Sequence, residues 1–191
     1  MDIACFIFYC FVVTFTPGPT NIVILSTVHH RGSKKAIEYT YGATIAFGLL
    51  PALSTLLNSM LVTVIPKIII GMQIIGTFYM LYLAYQIYKM DGAGSREDKT
   101  GTFTNGFLMQ FLNPKVVLFA LTIIPSFVLP YYTDVSAVTI SVHVITVIGF
   151  AVFISWVFFG AISKNILLKY KKIVNNVMAL GLVYATITIW I

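Results

Sequence analysis

Apolar residues run through this chain in long blocks separated by short polar connections. The blocks extend from Ile3 to Val28, about Tyr39 to Val64, Ile68 to Tyr88, about Phe103 to Leu129, about Val135 to Ile162 and Ile173 to Ile191. A helix rising about 1.5 Å per residue crosses about 30 Å of hydrocarbon with about 20 residues, so each block is the length of a membrane crossing. His29 to Lys35 forms a basic turn after the first block. Pro66-Lys67 closes the second so tightly that the helices on either side form an antiparallel hairpin. Lys89 to Asn105 is the long polar stretch, with Gly92, Gly94, Gly101 and the mixed charges Arg96-Glu97-Asp98-Lys99, and reads as a flexible linker.

Two blocks are interrupted. Thr16-Pro17-Gly18-Pro19-Thr20-Asn21 places two prolines around a glycine in the first, and Asn113-Pro114-Lys115 breaks the fourth. Proline lacks an amide proton and clashes with the preceding turn, so neither block forms one unbroken hydrogen-bond ladder. At membrane depth such a break is tolerated where protein or a watery cavity satisfies the freed backbone groups. Each break opens a group of three crossings, and two groups of three must be inserted with opposite orientation. The expected architecture is therefore an all-α integral membrane protein, a single domain over 1–191. Its six transmembrane helices form two inverted three-helix repeats, about 1–89 and about 106–191, joined by a cytoplasmic linker at about 90–105, with helices 1 and 4 broken. Pro17 and Asn113 both lie about ten residues, or about 15 Å, from the basic ends of their helices, level enough to share one cavity. Discontinuous helices of this kind point to the substrate site of a secondary transporter.

Composition agrees with the membrane reading: 59% of residues are hydrophobic, 9% are charged, and mean hydropathy is +0.93. The net charge of +6 does not signal nucleic acid, because the basic residues are scattered through the connections. They set orientation instead. Arg31, Lys34, Lys35, Lys89, Arg96, Lys99, Lys164, Lys169, Lys171 and Lys172 lie on one side and Lys67 on the other. Positive connections stay in the cytoplasm, which places both termini outside. With only Asp2 before Ile3 and no basic leader, a removable signal peptide is not expected. Cys5 and Cys10 lie on different faces of one helix, too far apart for a disulfide, and are read as space-filling thiols.

The chemistry follows from the breaks. A helix restarted after proline presents free amides and its positive dipole end, which favour a carboxylate. Pro17, Gly18, Pro19, Thr20 and Asn21 therefore form one half of the expected substrate site; Asn113, Pro114 and Lys115 form the other. The side chains of Thr20 and Asn21 also suit plain repair of the broken backbone. Lys115 is the one charge not easily assigned to an interface, suited to holding a carboxylate or changing protonation, although a lysine at that depth can also snorkel. Gln110, one turn before Asn113, is a weaker companion. His143 and Asn58 read first as structural hydrogen-bonding residues. Because no acid lies inside a crossing, Lys115 and His143 are the side-chain candidates for coupling to protons, beside bound substrate itself. No metal cluster, paired nucleophile and base, or phosphate-cradling loop occurs, so neither an enzyme nor a cofactor is expected.

These residues resemble the LysE/RhtB amino-acid exporters along nearly the whole chain. Thr16-Pro17-Gly18-Pro19 with Asn21 looks like the family's first-helix motif, and Gly76, Tyr79, Tyr82 and Leu83 like its third-helix core. Phe103, Gly106, Phe111-Leu112-Asn113-Pro114-Lys115, Leu118-Phe119 and Pro125-Ser126-Phe127-Val128 look like its fourth-helix signature. Phe127 to Pro130 and Asn176 to Tyr184 are most similar to the cysteine/O-acetylserine branch. The resemblance implies a secondary active exporter of a small amino acid or derivative: neutral, cysteine- or O-acetylserine-like, or homoserine- or threonine-like. It also implies proton antiport and a bacterial inner membrane. The expected partners are the amino-acid substrate and the lipid bilayer, with a homo-oligomer left open. Many relatives carry Gly-x-x-x-Gly and then an acid in the second helix, whereas here Gly42 is followed by Ala46 and Phe47, so carboxylate-based coupling does not carry over. The rival readings are a membrane thiol-disulfide electron carrier, which needs cysteines on facing helices, and a non-transporting assembly or sensor subunit.

Overall fold

The structure is a computed structural model that describes residues 1–56, 58–89, 101–163 and 169–187, with backbone alone at 56, 58–69, 72, 73 and 171. It is helical throughout the described residues. The helices are α1 (Ile3–Phe15), α2 (Pro19–Arg31), α3 (Ser33–Leu56), α4 (Asn58–Lys89), α5 (Phe103–Leu112), α6 (Pro114–Ile123), α7 (Val135–Ile162) and α8 (Lys171–Ile187). A single π turn, Ile124–Val128, prolongs α6 where Pro125 withholds an amide, and the chain closes it with Leu129 N–H donating to the Ile124 carbonyl (3.0 Å).

Local chemistry sets the ends. Asp2 accepts from the amides of Ala4 and Cys5 at the start of α1; Thr102 and Asp134 cap α5 and α7 in the same way. The Cys5 amide, followed by that of Ala4, holds the Asp2 carboxyl below the ordinary carboxylate range. Gly32, at φ +82°, stops α2 in the left-handed region that a side chain resists. The basic residues His29, His30 and Arg31 are accordingly the last turn of α2 rather than a connection.

One boundary differs from expectation. Pro66 and Lys67 lie inside α4, which begins at Asn58, so they do not form the connection between α3 and α4. A proline inside a membrane helix is tolerated when neighbouring groups take up the carbonyl it frees. Residues 90–100 of the expected linker, with Arg96 and Lys99, lie outside the described residues, as do Lys164 and the side chain of Asn58.

Polar and apolar residues are distributed as a bilayer demands. Phe8, Phe78, Val147, Phe158 and Leu180 face outward, whereas Thr20, Asn21, Ser26, Thr40, Gln110, Asn113 and Asn175 are buried. Among the described residues α7 alone is long and apolar enough to cross a membrane by itself. The α1/α2 pair, bent by 52°, and the α5 to π-turn unit, bent by 67°, qualify as broken spans.

The packing order is regular. α3 pairs with α7 and α4 with α8, while α1/α2 packs on α7 and α8, and α5/α6 packs on α3 and α4. α2 also packs on α3, its neighbour in the chain, which the second half matches mainly through the π turn on α7. Small residues sit at the crossings. A Cβ on Gly48 would strike Thr146, and one on Gly149 would strike Phe47, so α3 and α7 interlock reciprocally. Gly76 of α4 meets the Leu112 carbonyl beside the second break, as Gly181 of α8 meets Ile22 just past the first. A Cβ on Gly71 would meet nothing described within 4 Å, so it is not an approach point. The broken helices thus lie between an α3/α7 pair and an α4/α8 pair.

Candidate functional site

At the end of α1 the carbonyls left without helical partners must be satisfied from elsewhere. The Thr16 amide and hydroxyl both donate to Val12 (3.0 and 2.6 Å). Asn21, one turn into α2, donates through Nδ2 to the carbonyls of Thr14 (3.1 Å) and Thr16 (3.2 Å). Lys115 then reaches across from the other broken helix, its Nζ donating to the same Thr16 carbonyl at 2.9 Å. A cation therefore rests at the negative end of the α1 dipole.

The second break is tighter. Asn113 ends α5 and starts α6, and its Oδ1 accepts from the Lys115 amide (3.2 Å) as an N-cap. Its Nδ2 donates to the Thr20 hydroxyl (3.3 Å), which also accepts from Gln110 Nε2 (3.1 Å) and faces Gln110 Oε1 (3.3 Å). Thr20 is thus the polar hub joining α2 to both sides of the second break. Gln110 is fully buried, and its place at the hub exceeds the weaker role its sequence position suggested.

Two cavities meet at these residues. A small one of about 20 Å³, room for a water-sized group, lies on the α3/α7 side. Thr14, Thr20, Asn21 and Val116 line it, and Phe47, Phe119 and Phe153 close it. Phe47 stacks on Phe119 with ring centres 5.5 Å apart, and Tyr9 and Phe127 extend that aromatic layer. A larger cavity of about 470 Å³ lies on the α4/α8 side, within the usual size of small-molecule sites. Its walls are Pro17, Pro19, Ile22, Met80, Pro114, Leu118, Gly181, Tyr184 and Ala185. Gly18, Asn113 and Lys115 line both cavities and so form the partition between them. Gly18 is extended (φ −156°), and the Lys115 side chain runs 3.6 Å from where its Cβ would be.

All eight residues expected at the breaks line one or both cavities. Pro17 does so at an exposed edge of the larger one, while Gly18, Pro19, Thr20, Asn21, Asn113 and Pro114 are buried and Lys115 is half-buried. His143 is not brought to them. It is exposed, bonds back to the Thr139 carbonyl of its own helix (2.8 Å), and lines neither cavity. The cavity walls missed by sequence reasoning, Phe47, Phe153, Met80 and Tyr184, are apolar or aromatic residues in ordinary helical runs, with nothing local to mark them. Cys5 is exposed and Cys10 buried on the same helix, and neither has a partner thiol in a chain with two cysteines, so the electron-carrier reading lacks its facing pair. No group of three or more metal-ligating side chains occurs among the described residues.

The LysE type translocator family model matches residues 11–190. The chain is 29% identical over 189 residues to a cysteine/O-acetylserine efflux protein of Klebsiella pneumoniae subsp. pneumoniae, covering 98% of this chain and 96% of that one. Proteins of the same name match at 28% over 191 residues in Salmonella paratyphi A (100% and 98%) and at 27% over 186 residues in Escherichia coli O1:K1 / APEC (95% and 94%). No solved structure matches the chain. With nearly its full length matched, the chain belongs to the LysE type translocators, integral membrane transporters rather than enzymes.

Proposed function

We propose that the protein is a secondary active exporter of a small neutral amino acid, with cysteine and O-acetylserine as first candidates because its relatives carry those names. The observation that carries the reading is the bond from Lys115 Nζ to the Thr16 carbonyl, which brings the one intramembrane cation of the second broken helix onto the first. Nζ has three protons and this bond uses one, so two remain for a substrate carboxylate. The uncapped start of α2 at Gly18 offers a second attraction for the same anion. A cationic side chain in the substrate would face Lys115 without a compensating acid among the cavity-lining residues, so basic amino acids are rejected.

Transport requires the partition at Gly18, Asn113 and Lys115 to open. The pairing of α3 with α7 and of α4 with α8 supports six spans arranged as two inverted repeats, rocking about that partition. Orientation with both termini outside rests on the basic connections; a bacterial inner membrane and proton antiport rest on the family resemblance. With His143 away from the site, Lys115 is the coupling residue that meets substrate directly.

Purified protein in liposomes tests this reading. It should exchange labelled L-cysteine or O-acetyl-L-serine for internal unlabelled amino acid, respond to an imposed pH gradient, and ignore L-lysine. Liposomes that accumulate none of these would favour a non-transporting subunit.

A further inference from the structure

We propose that the side-chain oxygen of Asn21 recognises the substrate's ammonium group, so that the site selects molecules with a free protonated α-amino group rather than small carboxylates in general. This deepens the exporter reading and rests on it.

The orientation of the Asn21 amide is set by its neighbours. Thr14 and Thr16 offer it carbonyl oxygens, which only accept, so the end facing them must be Nδ2. Oδ1 is then turned away from α1. Asn21 is 3% exposed, and its Oδ1 has no hydrogen-bond partner. A buried amide oxygen without a donor is costly, and it is resolved by whatever donor enters its surroundings. Asn21 also lines the small cavity, of about 20 Å³, together with Thr14 and Lys115. An ammonium is a donor of about that size.

The other polar groups nearby are already used. The Thr20 hydroxyl is held by Gln110 and Asn113, and the Asn113 oxygen caps α6. Lys115 Nζ and Asn21 Nδ2 hang on the same Thr16 carbonyl oxygen, at 2.9 and 3.2 Å. The cation and the amide therefore meet at one oxygen atom, and Lys115 lines the larger cavity as well. A zwitterion placed there puts its carboxylate on Lys115 and its ammonium on Asn21 Oδ1, with the carboxylate lying between the two positive charges.

The test uses the full chain in liposomes, with counterflow of labelled L-cysteine and competition by unlabelled L-cysteine or its α-hydroxy acid, 3-mercaptolactate. The hydroxy acid keeps the carboxylate and side chain but replaces a charged donor by a neutral one, a loss on the order of tenfold in apparent affinity for the wild type. Asn21→Ala should abolish the preference, with cysteine and mercaptolactate competing equally, in a variant whose insertion is checked by size-exclusion chromatography. Should Asn21→Ala fail to insert, Asn21→Gln, which keeps both the amide donor and the oxygen, should retain the preference for the amine. Equal competition by the two compounds in the wild type, an unaltered preference in Asn21→Ala, or a lost preference in Asn21→Gln overturns the inference while the exporter reading stands. Absence of cysteine counterflow in the wild type overturns both.

Discussion

The two breaks solve the same backbone problem in different ways. The second supplies its own cap: one residue, Asn113, ends α5 and caps α6, and also bonds Thr20 of α2. The first is spread over Thr16, Pro17 and Gly18, and its new helix starts at a glycine with no side-chain cap. Its carbonyls are satisfied by Asn21 from downstream and by Lys115 from the other helix. A break that caps itself is a scaffold, whereas one that borrows its partners from across the interface has groups a ligand can compete for. The proposed binding is therefore placed at the first break and the lysine that reaches it, with the rest of the second break as support.

Substitutions separate those two roles. The largest effect is expected where the scaffold is tightest. A side chain on Gly106 would overlap the Tyr39 carbonyl where α5 lies on α3. Gly106→Val should cost at least about 1–3 kcal/mol and yield little monodisperse protein on size-exclusion chromatography. Thr20→Val comes next. It keeps the shape but takes the shared acceptor from Gln110 and Asn113, and should lower stability by about 1–3 kcal/mol in a thermal melt. Gly18→Ala should leave the melt unchanged, because its Cβ would sit at ordinary contact distance from Lys115 and the backbone there is extended. Transport should nonetheless fall on the order of tenfold as the added methyl group restricts the lysine. His143→Ala should change neither melt nor transport, since the ring faces outward and bonds only within its own turn. A transport defect in that variant would bring His143 back as a coupling residue.

How much of this was legible in the chain depended on how local the cause was. The breaks were readable because proline's missing amide acts at its own position, so Pro17, Pro19 and Pro114 announced the ends of helices from the residue string alone. The same rule misplaced the end of the second block, because Pro66 is accommodated inside α4. Whether a proline ends a helix or only bends it depends on what its neighbours satisfy, and that is a tertiary matter. The convergence of Lys115 on Thr16, 99 residues away, was approachable only through the repeat geometry. The hub made by Thr20, Gln110 and Asn113 needed the contact itself, because glutamine carries no periodic signature. The aromatic and aliphatic walls, from Phe47 to Tyr184, were indistinguishable from lipid-facing or core residues until helix pairing placed them.

The most direct test of the shared site is counterflow of labelled L-cysteine and O-acetyl-L-serine by Lys115→Ala in liposomes, with insertion and melting checked beside the wild type. Abolished exchange in a normally inserted, normally melting variant is the predicted result. Wild-type exchange in that variant would remove Lys115, and with it the joining of the two breaks, from the transport mechanism.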